Sequence, residues 1–127
     1  RVWKGQHGES LAELYRMADV LVLPSYGEGF PLVVQESLAC GTPTVISEET
    51  AAGSPAFPRA IRAVPYSPTT TQPEEWLTAL QDMLTASDMA EIRTDAAAFA
   101  RKKWDWDHLA SQYVALFSHL HKESVPR

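Results

Sequence analysis

The sequence predicts an α/β domain with a mostly parallel sheet, and three observations carry that expectation. Two short runs, VLVLP (residues 20–24) and PTVIS (residues 43–47), are apolar with almost no polar alternation. Runs of that kind suit strands covered on both faces, as in parallel sheets. Between them lies an apolar pattern at helical spacing, and strands and helices then alternate until a wholly helical second half.

Each element has its own local reason. Residues 1–4, RVWK, read as a short strand ended by Gly5. The next segment, HGESLAELYRMAD, places Leu11, Leu14, Tyr15 and Ala18 on one helical face, with Ser10 as the expected N-cap. VLVLP is the second strand. Pro31 suits the first turn of a helix that runs to about Ala39, and Gly41 suits the residue just past its end. PTVIS is the third strand. Residues 48–60 mix small residues with Gly53, Pro55 and Pro58 and are expected to form a loop. Residues 60–64, AIRAV, alternate as an edge strand does. Residues 65–73, PYSPTTTQP, are expected to be loop. Three helices follow from Pro73. The first presents Trp76, Leu77, Leu80, Met83 and Leu84, with two acids in its first turn. The second is DMAEIRTDAAAFARKKW. The third presents Trp106, Leu109, Tyr113, Leu116, Phe117 and Leu120. The expected division is an α/β core at 1–72 and C-terminal helices at 73–127.

Composition excludes some classes of function. The chain has 127 residues, of ordinary size for one domain. Its 16 acids against 11 Lys plus Arg leave a net charge of −5, which argues against nucleic acid as the partner. No run approaches the roughly 18 apolar residues of a membrane helix. The lone cysteine, Cys40, has no disulfide partner, and a cytoplasmic setting follows as the simplest reading. His119 and His121 are two apart and share no helix face, so no metal site is expected. Cys40 is expected to pack rather than react. The opening at Arg1, already reading as strand, suggests a piece of something longer.

The stretch SYGEGFPLVVQE poses the chemical question. Glu28 and Glu36 stand on either side of an expected helix start. The unpaired N–H groups of that start suit a phosphate, and Gly27 and Gly29 let a ligand approach the backbone. Leu32 and Glu36 share one helix face, with Glu36 roughly 6 Å further along the axis. Two carboxylates beside a diphosphate are best used as acceptors for hydroxyls on either side of it. A sugar at Glu28, phosphates at the helix N-terminus and a ribose at Glu36 describe a nucleotide sugar. Spacing alone leaves open that both acids are solvated charges.

The whole stretch MADVLVLPSYGEGFPLVVQESLACGTPTVIS resembles the signature of the retaining glycosyltransferases of family 4, also called group 1. The matching positions are Ala18-Asp19, Pro24-Ser25, Glu28 to Glu36, Gly29-Phe30, and Gly41-Thr42-Pro43 with Val45. The closing FARKKWDWDHLASQYVALF resembles that family's last helices. The resemblance implies a partial Rossmann-like sheet from the C-terminal half of a GT-B fold, the half that binds the nucleotide-sugar donor. It implies that Glu28 holds hydroxyls of the transferred hexose and is the catalytic position. Backbone groups at Gly29, Phe30, Pro31 and Leu32 meet sugar and phosphate oxygens, Glu36 binds the ribose, and Gln6 and His7 lie near the base. It implies no metal and no cofactor beyond the nucleotide-diphospho-sugar substrate. The acceptor, a sugar or a lipid-linked sugar, belongs to an N-terminal domain without counterpart here. The expectation is therefore a fragment, inactive alone and prone to self-association, from a cytoplasmic or peripheral inner-membrane enzyme of polysaccharide or glycoconjugate biosynthesis. The alternatives are a non-catalytic binding module, or an epimerase or phosphorylase on the same fold.

Overall fold

A computed structural model describes residues 2–54, 59–67, 69 and 73–124, with the side chains of 122–124 left aside. Arg1 and parts of the expected loops (55–58, 68, 70–72) lie outside the described residues. The chain runs α1 (Gly8–Met17), β1 (Leu21–Leu23), α2 (Leu32–Ala39), β2 (Thr44–Ser47), α3 (Glu48–Ala52), β3 (Ile61–Val64), α4 (Pro73–Leu84), α5 (Met89–Trp104) and α6 (Trp106–Ser124). The three strands form one parallel sheet in the order β1-β2-β3. Val22 pairs with Val45, which pairs in turn with Arg62; Leu23, Ile46 and Ala63 form the next row. This is the α/β, partial Rossmann-like architecture expected from the sequence, with a helical C-terminus.

Alternation along β2 divides the core between two faces of the sheet. Ile46 points into a cluster with Val34 and Leu38 of α2 and Ile92 and Ala96 of α5. Its neighbour Val45 points the other way, to Val64 and to Ala79 and Met83 of α4. Every residue of β2 is buried, the polar Thr44 and Ser47 at its ends as well as the apolar Val45 and Ile46 between them. β1 differs from the expectation: Val22 is exposed, because β1 is an edge strand among the described residues. Residues 2–4 are also not strand. They are in no strand pairing among the described residues, and a strand needs a neighbouring strand to complete its ladder; Val2 and Trp3 stand exposed.

Helix ends follow local chemistry. α1 starts two residues before the expected cap: His7 is the N-cap, and Ser10 Oγ instead donates back to the His7 carbonyl at 2.9 Å. The end of α2 is a Schellman turn. Gly41 takes φ +76°, its N–H meets Leu38 O at 2.9 Å, and Thr42 N–H meets Ser37 O at 2.8 Å. Residues 48–52, expected as loop, are helix α3. Ser47 caps it, accepting from Thr50 N–H at 3.2 Å, and Glu48 and Glu49 fill its first turn. In α4 only Ala79 and Met83 are buried, and the expected Leu77 and Leu84 are exposed. The apolar stripe of α6 exists as a pattern, yet Trp106, Tyr113, Leu116, Phe117 and Leu120 are all exposed.

Among the described residues no helix is long and apolar enough to cross a membrane.

Candidate functional site

A parallel sheet collects its strand ends at one edge, and ligands in open α/β sheets bind there. β1 ends at Leu23, and the loop 24–31 leads from that edge into α2. β2 ends at Ser47 and passes directly into α3 beside it.

The loop carries Glu28 exposed to solvent, with Ser25 Oγ donating to its Oε1. Gly27 turns the chain at φ +78°, a conformation that favours glycine. Its N–H donates to Glu49 Oε2 of α3 at 3.0 Å. α3 also packs against the loop at Gly53, where an added Cβ stands 2.9 Å from Gly29 O and 3.0 Å from Gly29 C. Gly53→Ala is therefore expected to push the Gly29 backbone away and cost about 1–3 kcal/mol, as overpacking does. Thermal unfolding reads the cost and amide shifts at Gly27 and Gly29 read the displacement; an alanine variant unchanged in both contradicts this contact.

Phe30 turns inward. Its ring lies 5.2 Å from the ring of Trp104, which meets Phe99 at 5.1 Å. Phe30 thus serves the core with its side chain, leaving its backbone for a ligand. Pro31 is the N-cap of α2 rather than its first helical residue, with ψ 148°. A proline offers no side-chain oxygen, so no side chain caps α2. Bonds to the helix's own carbonyls begin at Val34 N–H, 3.1 Å from Pro31 O. The N–H groups of Leu32 and Val33 precede that first bond. They sit at the positive end of the helix dipole, next to the loop that holds Glu28.

Glu36 lies one turn further on the face of Leu32, exposed, and accepts from Tyr15 Oη at 3.1 Å. Leu32, Gln35 and Glu36 form one wall of an open groove of about 570 Å³, and Arg101, Trp104 and Trp106 form the other. Burial first, then the hydrogen bond to Glu36 and the charges of Glu36 and Cys40, push the Tyr15 phenol up to about 12. Burial likewise raises the Cys40 thiol, against the pull of Arg16, and keeps it in the less reactive thiol form.

The Tyr15 shift fixes a pH dependence. The folded phenol holds its proton to a higher pH than the unfolded one, near 10. The stability from this link is fully present below about pH 10 and lost as pH rises through about 12. For a partly exposed ring the effect is about 1 kcal/mol after solvent screening. Urea unfolding at roughly pH 9 and roughly pH 11.5 reads it: Tyr15→Phe is expected to lose less stability over that interval than the wild type. Equal losses contradict the link.

The structure brings Glu28, Gly29, Pro31, Leu32 and Glu36 to one loop-and-helix unit. It gives Gln6 and His7 no hydrogen bond to any of them. Gln6 Nε2 donates to Lys4 O and His7 Nδ1 meets Gly5 O, both at 3.1 Å and both exposed. It is Tyr15, within α1, that reaches Glu36. Sequence reasoning missed this role because Tyr15 sits at an apolar position of α1. It also missed Glu49 and Gly53, whose signal was the Ser47 cap followed by two acids. Among the described residues no group of three or more His, Cys, Asp or Glu is placed to hold a metal ion.

Comparison with known proteins adds the context. Residues 2–102 match the family described as Glycosyl transferases group 1. One curated relative, D-inositol 3-phosphate glycosyltransferase of Rhodococcus erythropolis, is 33% identical over 106 residues, 83% of this chain. The aligned part is 23% of that relative, so the chain spans less than a quarter of its length.

Proposed function

The chain belongs to the group 1 glycosyl transferases, and from that premise we propose that it carries the donor-binding part of a retaining enzyme. The reaction moves a hexose from a nucleotide-diphospho-sugar to a sugar, inositol phosphate or lipid-linked acceptor. The acceptor hydroxyl oxygen bonds to the anomeric carbon as the bond to the diphosphate breaks. The hydroxyl proton leaves with the diphosphate.

The observation that carries this reading is the start of α2. It has no side-chain cap, a glycine loop bearing Glu28 leads into it, and Glu36 follows one turn later. Leu32 and Val33 N–H meet the diphosphate, which gathers charge as it leaves. Glu28 accepts from the hexose hydroxyls and Glu36 from the ribose hydroxyls. Neither acid needs to face the phosphates. In this reading the helix terminus and basic groups supplied elsewhere in the enzyme stabilise the leaving group, with no metal.

Calorimetric titration of the protein with its acceptor domain against UDP-, GDP- and ADP-sugars tests the reading. One nucleotide class is expected to bind in preference to the others, which also names the donor. A folded protein that binds none of them overturns it.

A further inference from the structure

We propose that Tyr15 is a positioning residue for Glu36, and that the pair makes the site selective for ribonucleotides over nucleotides lacking the ribose hydroxyls. The inference rests on the donor-site reading above. Glu36 stands on an exposed helix face with three rotatable bonds, and holding such a side chain in one rotamer costs up to about 2 kcal/mol of entropy. Tyr15 Oη, 3.1 Å from Glu36 Oε2, fixes it before any ligand arrives. A carboxylate has roughly four acceptor positions, so one tyrosine contact leaves room for a vicinal diol.

Tyr15 is itself anchored from two other elements. Thr42 Oγ1 donates to the Tyr15 carbonyl at 2.5 Å. Arg93 of α5 reaches the carbonyls of Ala18 and Arg16 at 3.0 Å each, clamping the end of α1. α5 in turn crosses close to the Gly41 turn of α2, where an added Cβ stands 3.0 Å from Arg93 O. α1 therefore cannot slide relative to α2 without breaking these bonds, and Tyr15 arrives at Glu36 on a fixed frame. A tyrosine phenol keeps its proton through neutral pH, so Tyr15 remains a donor to Glu36 there.

Two consequences separate positioning from mere packing. A diol loses its preplaced acceptor when the hydroxyl of Tyr15 goes; a ribose without hydroxyls has nothing to lose. The test uses whichever of UDP, GDP or ADP binds best, and its 2′,3′-dideoxy counterpart, titrated into wild type, Tyr15→Phe, Glu36→Ala and the double variant. Tyr15→Phe is expected to weaken the ribonucleotide about 5–10-fold, in line with one lost hydrogen bond, and to leave the dideoxy form within about twofold. The double variant is expected to be no weaker than Glu36→Ala alone. Equal loss for both nucleotides, or none for either, in a Tyr15→Phe protein that still unfolds cooperatively overturns the proposal. Glu36→Ala indistinguishable from wild type on the ribonucleotide removes the ribose reading itself, and the proposal with it.

Discussion

Leu38→Ala is expected to lower folding stability by about 2–5 kcal/mol. Leu38 is fully buried, packed with Val34 and Ile46 and facing Ile92 and Ala96 across the α2–α5 contact. Deleting its branched end leaves a cavity that the rigid β2 strand, itself wholly buried, cannot fill by moving. Whole domains are stable by only about 5–15 kcal/mol, so the loss is a large share. α2 also carries Glu36, two residues before Leu38, which ties the same contact to the site. The urea midpoint should fall at nearly constant slope. A cost under about 1 kcal/mol contradicts the packing of α2 on α5.

Glu28→Ala is expected to act in the opposite way, on turnover and hardly on stability. Glu28 is exposed on a loop and its hydrogen-bond partner is the neighbouring Ser25 hydroxyl, so its removal should change stability by no more than about 0.5 kcal/mol. In the donor reading it accepts from hydroxyls of the transferred sugar. A hydrogen bond to a charged group contributes about 1.5–3 kcal/mol. Losing it should lower kcat/KM of the intact enzyme by roughly 10–100-fold. Steady-state kinetics with the natural donor decides; a variant with wild-type kcat/KM removes Glu28 from the site.

How far the sequence shows this molecule depends on where the physics is local. β2 was legible because Val45 and Ile46, facing opposite sides of the sheet, are both buried and apolar. The end of α2 was legible because Gly41 at φ +76° is a turn that few other residues form. The spacing of Glu28 and Glu36 around Pro31 was legible for a similar reason, since a helix start fixes which residues face the crevice. Other features depend on partners distant in sequence. RVWK has strand composition, but the sheet among the described residues holds only β1, β2 and β3, and residues 2–4 are not strand. α3 was hidden by Gly53 and the following prolines, although Ser47 and two acids were a readable cap. The amphipathic faces of α4 and α6 were visible as patterns, but periodicity does not say what covers a face. Tyr15 was read as an apolar helix position, and its hydroxyl contact to a residue 21 positions away leaves no trace in local spacing.

Paired titration of a free nucleoside diphosphate and its nucleotide sugar, against Glu28→Ala and Glu36→Ala, tests the donor site most directly. The layout predicts that Glu36→Ala weakens both ligands by a similar factor, about 1–3 kcal/mol in free energy. It predicts that Glu28→Ala weakens only the nucleotide sugar, leaving the nucleoside diphosphate at wild-type affinity. Wild-type affinity of both variants for both ligands contradicts it and makes the two glutamates solvated charges.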